Sequence, residues 1–515
     1  MSDNQNWKIR LAGFKSLPYY PLLLGCYPVV ALLGFNISQV DPNVVWRPVL
    51  VLSLVTLAVM FLLKWLLRDW HRAALATTIL ILLFFTYGHL YSYLKTIEMS
   101  GIILGRHRQM LMVWLILAGL GMWWAGRKTA RPQAFTPVLN LLSIFLLIHP
   151  TFLSTVYIWK VVQARSVVAS QASAAQDPDL PLGYKPDIYF IVLDAYGRTD
   201  VLSESWGIDN TSFLQLLESR GFYIAECSQS NYAHTILSIT STLNLNYLDA
   251  LTGELNGNME KNATLHALGQ DNHVRKYLGS LGYDTVAFAT NFPFTEWKDA
   301  EHFYSPPPLG MNDFEILLAR TSAWRVPMDM ISRSPEQRST DWYRQRTEYA
   351  LRYLMEEVPA LPGPKFVYAH LVIPHHPFVF GPNGEEVEFT SYDILDYSDY
   401  GAGYGNQVAF IDGQIENLIW IILQESPNPP IIVIQGDHGP SPFGEVERRM
   451  RILNAYYFPD NQGGLYPEIT PVNSFRLILE KYYGQDFEPL EDVSRYSTYE
   501  NPYEYQVVPK SCPKN

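Results

Sequence analysis

A chain of 515 residues is too long for one ordinary domain, so regions of different character are expected along it. Its formal net charge of −12 excludes the basic face that a nucleic-acid partner would need. Three cysteines, Cys26, Cys227 and Cys512, exclude a disulfide framework, and no C-x-x-C pair points to zinc. A single bridge between Cys227 and Cys512 remains open to a segment outside the cytoplasm.

In chain order, the first elements are five apolar stretches near residues 17–37, 46–67, 73–94, 110–124 and 135–159. Each is close to the roughly 20 residues that a helix needs to cross a bilayer, and the fourth is the shortest. Tyr19, Tyr20, Trp46, Trp65, Trp70, Trp123, Trp124 and Trp159 cluster near their ends, where interfacial aromatics belong. Lys8, Arg10, Lys15, Lys64, Arg68, Arg72, Arg127, Lys128 and Arg131 fall on one side, against Arg47, Lys95, Arg106 and Arg108 on the other. This balance favours a cytoplasmic N-terminus, and five crossings then place everything after Trp159 outside. The expectation is a multi-pass plasma (inner) membrane protein. Asn140 and His149 are polar within the fifth span, and interhelical hydrogen bonding is favoured over a substrate role for them.

From 161 to 185 the chain turns to Ala, Ser, Gln, Asp and Pro and reads as a linker. Beyond it, β-rich runs alternate with amphipathic segments, the pattern of a sheet covered by helices. Residues 187–193, 283–289, 366–372 and 431–435 are the expected strands, the first apolar nearly throughout, as a strand buried on both faces should be. Helices are expected from Asn210 or Thr211 to Arg220, over 273–281 and over 407–423. The expected organisation is a transmembrane domain (1–160), a linker (161–185), a catalytic α/β domain (186–483) and a peripheral tail (484–515).

Ligands in open α/β sheets sit beyond the carboxyl ends of the strands. Here the strand ends deliver Asp194 with Arg198 following, His375 and His376, and Asp437 with His438. This mix of oxygen and nitrogen ligands suits one divalent ion, Zn²⁺ or Mn²⁺. Between them lies a hydroxyl-rich run, Ser228 to Ser241, at a helix start, where a hydroxyl is placed to attack phosphorus. Each signal alone has an ordinary alternative: a strand-end Asp is often a turn or cap, and a Ser/Thr-rich helix start is common capping chemistry.

Asp194-x-x-x-Arg198, the hydroxyl-rich segment, Pro374-His375-x-Pro377-Phe378 and Asp437-His438-Gly439 stand in an order and at separations that resemble the sulfatase-like branch of the alkaline phosphatase superfamily. Five spans before an extracytoplasmic catalytic domain are also similar to lipoteichoic acid synthases and lipid A phosphoethanolamine transferases. The resemblance implies an α/β sandwich of alkaline phosphatase type over roughly residues 185–483. It implies Asp194, Asp437 and His438 as metal ligands, with Thr235 as nucleophile and additional ligand. It further implies His375 as a substrate-binding or leaving-group residue; Arg198 and His376 are set beside it as substrate-binding candidates. Ser230 and Ser238 are rivals to Thr235. Ala195 stands where sulfatases usually carry a second Asp, and Cys227 lacks the C-x-P-x-R context of the formylglycine nucleophile. Both departures disfavour sulfate esters. The expected substrates are phosphodiesters of membrane lipids or envelope glycans. The alternatives are a water-using hydrolase and a non-catalytic binding protein on the same fold. Oligomeric state is left open.

Overall fold

The computed structural model describes residues 17–99, 102–103, 105–170, 183–253, 258–290, 292–307, 311–330, 335–387, 397–442, 444–460 and 463–513. Lys8, Arg10 and Lys15 lie outside these residues, as does 171–182 of the expected linker. The chain forms two compact units. One comprises the described parts of 1–158 and 308–339, the other those of 159–307 and 340–515.

The first unit is helical: α1 (Tyr20–Asn36), α2 (Trp46–Leu67), α3 (Trp70–Leu94), α4 (His107–Trp123) and α5 (Phe135–Ser170, shared with the second unit). Among the described residues, four helical stretches, 42–67, 70–94, 107–128 and 132–167, are long and apolar enough to cross a membrane. The first expected span, α1, is apolar but 17 residues long, shorter than these four. Buried Ala73, Ala74, Ala76 and Thr77 let neighbouring helices approach α3 closely. Leu62 of α2, Leu115 of α4 and Phe145 of α5 stay exposed, as lipid-facing side chains would. Asn140 is buried and joins α5 to the start of α1, accepting from the Tyr20 amide (3.1 Å) and donating to the Leu17 carbonyl (2.8 Å). Interhelical hydrogen bonding is therefore what Asn140 does.

Residues 311–330, expected inside the catalytic domain, pack in this helical unit. The Ala323 amide donates to the Phe84 carbonyl, Arg325 to Ser92, and His107 pairs with Asp329 at 2.9 Å. Gly88 makes the approach feasible, because a Cβ there would lie 2.2 Å from the Arg320 carbonyl oxygen.

α5 runs on through Ser170, into the stretch expected as a linker. Residues 161–170 contain neither Gly nor Pro, so nothing in them stops a helix. Within the second unit, Lys160 pairs with Glu260 and Arg165 with Asp271.

The second unit is built on seven strands: β1 (Ile188–Leu193), β2 (Tyr223–Ile224), β3 (Asp284–Phe288), β4 (His302–Tyr304), β5 (Lys365–Leu371), β6 (Ile431–Gly436) and β7 (Asn454–Tyr457). Their order is β2-β7-β6-β1-β5-β3-β4, with β2/β7 and β7/β6 antiparallel and the rest parallel. Side chains of β1 alternate between two cores: Tyr189, Ile191 and Leu193 face one, Ile188, Phe190 and Val192 the other. Leu193 pairs with Leu371 on one side and Gly436 on the other, so three central strands end at one level.

The tail expected as peripheral is part of this unit. Strands β8 (Ser494–Tyr496) and β9 (Gln506–Val508) pair antiparallel, and Cys512 is bonded to Cys227.

Candidate metal and nucleophile site

The level ends of β1 and β6 bring Asp194 and Asp437 together, and the loop after β6 adds His438. All three are almost completely buried. His438 Nε2 stands 3.4 Å from Asp437 Oδ2 and 3.6 Å from Asp194 Oδ1. His370, inside β5, projects to the same face as Val192 and Tyr368, and its Nε2 lies 3.4 Å from Asp194 Oδ2. Asp194, His370 and Asp437 each offer a ligand atom to a common point, these atoms lying within 4.8 Å of one another. His370 is the member that motif reading passed over as a principal ligand. A lone imidazole inside an apolar strand, on the parity of Asp194, was its signal.

Burying two carboxylates and two imidazoles is costly unless something satisfies them. Asp437 Oδ1 accepts from the amides of Ala195 (3.0 Å) and His438 (2.9 Å). His438 Nδ1 meets the Gly439 carbonyl at 3.1 Å, which requires the proton there and leaves the lone pair on Nε2. The opposite atoms, Asp194 Oδ1, Asp437 Oδ2 and His370 Nε2, are buried with no hydrogen-bond partner among the described residues. Orphaned acceptors converging in this way fit a divalent cation.

The electrostatics agree. Burial would raise the Asp194 carboxyl, but His375, His370 and His438 outweigh it and hold the group below the usual carboxylate range. Burial, then the Asp194 charge, pushes Asp437 up to about 6. Burial, then Arg449, holds His438 well below the ordinary histidine value, keeping it neutral and able to ligate.

Thr235 is the first residue of α6 (Thr235–Leu243), after His234 in extended conformation. Its Oγ1 lies 3.3 Å from His438 Nε2. The rivals are committed elsewhere. Ser230 Oγ donates to the Asp437 carbonyl (2.5 Å) and contacts Ser238 Oγ (3.1 Å), and both serines are fully buried, whereas Thr235 is partly open. The His375 ring sits 6.4 Å from that of His438, and its carbonyl is held by Tyr343 and Gln407. His376 lies one ring further out, 5.9 Å from His375. Burial, then His375, lowers it to about 4.

Arg198 departs from its expected substrate-binding role. Its Nε and Nη2 donate to Asp200 (2.8 and 2.7 Å), and its Nη1 donates to the carbonyls of Ser228 and Ser511. Its donors are thus spent on the framework. The cation beside the site is Arg449, which the motifs did not reveal, with Nη2 2.9 Å from His438 Nε2.

A family model described as Sulfatase matches residues 186–475. No curated protein is similar enough in sequence to match the chain. Among solved structures, the C-terminal periplasmic domain of EcEptC from Escherichia coli is similar at a TM-score of 0.43 and 13% identity, covering 66% of this chain and 96% of that one. The integral membrane protein lipooligosaccharide phosphoethanolamine transferase A (EptA) from Neisseria meningitidis is similar at a TM-score of 0.39 and 13% identity, covering 91% and 94%.

Proposed function

We propose, from the premise that this chain belongs to the sulfatase family, that it is a metal-dependent phosphoryl-ester transferase or hydrolase with Thr235 as its nucleophile. The observation that carries this reading is the position of Thr235 Oγ1, 3.3 Å from His438 Nε2, at a helix N-terminus facing the orphaned Asp194 and Asp437 oxygens. One divalent ion, Zn²⁺ or Mn²⁺, held by Asp194, Asp437 and His438, with Thr235 and His370 in reach, would offset charge on the hydroxyl oxygen and on the phosphoryl oxygens. Thr235 Oγ, its proton lost to solvent, attacks phosphorus: an O–P bond forms, the ester O–P bond opposite breaks, and the departing oxygen takes a proton from His375, which is left neutral. The phosphothreonine is then opened by water or an acceptor hydroxyl, which gives its proton to His375 as its oxygen bonds to phosphorus and Thr235 Oγ leaves. The α6 N-terminus stabilises negative charge in both steps.

Sulfate esters are disfavoured by Cys227, which is bonded to Cys512 and does not supply a sulfatase-type nucleophile. The same bridge supports an oxidising compartment, hence a catalytic unit outside the cytoplasm; with α1 as a fifth crossing the N-terminus is then cytoplasmic. Residues 311–330, from the family-matched part of the sequence, contact Arg47, Ser92 and His107, at helix ends expected outside, and also Phe84 inside α3. With spans that hold the enzyme at a bilayer, a phospholipid headgroup or envelope glycan is the favoured phosphodiester.

The test uses the full chain in detergent, wild type beside Thr235→Ala and Asp437→Ala. The wild type is expected to bind Mn²⁺ or Zn²⁺ and cleave a chromogenic phosphodiester. Thr235→Ala should keep most metal affinity yet lose on the order of 10⁴-fold or more in kcat, whereas Asp437→Ala should lose the metal. A wild type with neither metal nor turnover on phosphate or sulfate esters would leave only a binding module. Product analysis with and without a glycan acceptor separates transfer from hydrolysis.

A further inference from the structure

The guanidinium of Arg449 occupies an unusual position for a cation. Its Nη2 lies 2.9 Å from His438 Nε2, the lone-pair nitrogen that points at the candidate metal position. Among the described residues no carboxylate forms an ion pair with it. Its other recorded contacts are neutral: Nε donates to the Ala233 carbonyl (2.8 Å), and Nη2 to the Tyr499 hydroxyl (3.2 Å). Tyr499 is held in turn, its ring packed 4.4 Å from that of His234, whose Nε2 meets the Ser497 carbonyl at 3.1 Å. The arginine is thus tied at one edge to the residue two before Thr235 and at the other to the C-terminal tail.

A fixed positive charge beside a site built for a divalent cation repels that cation, unless an anion lies between them. Burial and Coulomb attraction favour such an anion, and the fork of an arginine matches the oxygens of a phosphoryl group. When His438 Nε2 ligates a metal it no longer accepts from Arg449, so the Nη2 donor is released. Nη2 and Thr235 Oγ1 lie 2.9 and 3.3 Å from that same His438 nitrogen, so the freed donor faces the oxygens of a group bonded to Thr235.

We infer that Arg449 is the anion-binding residue of this site, taking a phosphoryl oxygen of the substrate, and that Tyr499 positions it. The role expected of Arg198 falls to a residue later in the chain. The inference rests on the proposed phosphoryl chemistry, and inorganic phosphate is the probe that separates the two. The full chain in detergent is loaded with Mn²⁺ or Zn²⁺, and phosphate binding is read by calorimetry for wild type, Arg449→Ala, Arg449→Lys and Tyr499→Phe. Metal content, melting temperature, kcat and KM on a chromogenic phosphodiester are read in parallel. Arg449→Ala should keep its metal, lose at least tenfold in phosphate affinity and gain at least tenfold in KM. Arg449→Lys should recover part of both, and Tyr499→Phe should shift KM two- to fivefold with metal content unchanged. Phosphate affinity and KM unchanged in Arg449→Ala would overturn the inference and leave Thr235 as nucleophile. A variant that loses its metal would also overturn it, by making Arg449 part of the metal scaffold. Phosphate binding that depends on Arg449 in a wild type without turnover would keep the inference and sink the proposed reaction. A wild type that binds no phosphate would sink the inference.

Discussion

The two oxygens of Asp437 have different work. Oδ1 is saturated by two backbone amides, while Oδ2 is buried and bare. Burial and the neighbouring Asp194 charge together push the carboxyl up to about 6 before any metal binds. Proton and metal therefore compete for Oδ2. Metal affinity should be flat above about pH 6.5 and fall by up to tenfold per pH unit below 6, since one proton must leave. Calorimetric Zn²⁺ or Mn²⁺ titrations from pH 5 to 8 check this, and a flat profile would show that Asp437 is ionised without the metal. The linkage has a second face. A folded-state carboxyl raised above its unfolded value near 3.9 holds a proton that the unfolded chain has released. Asp437 by itself should accordingly make the metal-free protein less stable as pH rises from about 4 toward 6. His376 and His438, held low by burial, act in the opposite direction.

At the scale of elements, much of the site was legible in strand ends. Asp194 and Asp437 follow apolar runs, and the parallel pairing of β1 with β6 brings those ends level. His370 shows what period-two alternation carries: it sits on the Val192 face, so its imidazole reaches Asp194. Arg449 was not legible, because the loop returning it to His438 follows no local periodicity. The tail was misjudged for a related reason. Its Tyr-, Glu- and Pro-rich composition reads as surface, but its anchors are apolar contacts and hydrogen bonds to residues distant in sequence. The Arg495 amide donates to the Asn231 carbonyl, the Ser511 amide to Gln229 Oε1, and Asn231 Nδ2 to the Val493 carbonyl. The Cys227–Cys512 bond then closes a span of 285 residues around the segment that carries Thr235. Cys512→Ser should cost about 2–5 kcal/mol, because releasing so long a loop returns much entropy to the unfolded chain. Denaturant unfolding of the full chain checks this, with kcat on the phosphodiester falling as the segment 228–235 loosens. Unchanged stability would show that the noncovalent contacts alone hold the tail.

For the whole molecule, hydropathy located the membrane helices and alternation located the sheet, but neither could show that 311–330 leaves the α/β unit. That segment lies well inside the family-matched sequence, and its helix Asp313–Arg320 has the apolar and charged faces of any surface helix. Only the contacts reveal it. Val326 packs with Tyr87 and Met110, Glu315 pairs with Arg47, and Gly88 leaves room for the Arg320 carbonyl. The consequence concerns any truncated form. A fragment of residues 183–513 retains 311–330 but loses the helices that cover it. Leu318 and Val326 would then be bared beside Leu317, Trp324 and Met330, which are already exposed. An apolar patch of that kind drives association. The fragment is expected to self-associate or bind detergent in light scattering after gel filtration. Leu318→Glu with Val326→Glu should make it monodisperse without changing its metal content. In the full chain the same pair should destabilise the helical unit by about 2–5 kcal/mol, since it places charges where apolar side chains are buried. A fragment that is monodisperse without the substitutions would show that 311–330 finds cover within the α/β unit, and that its place among the helices is not fixed by the contacts named here.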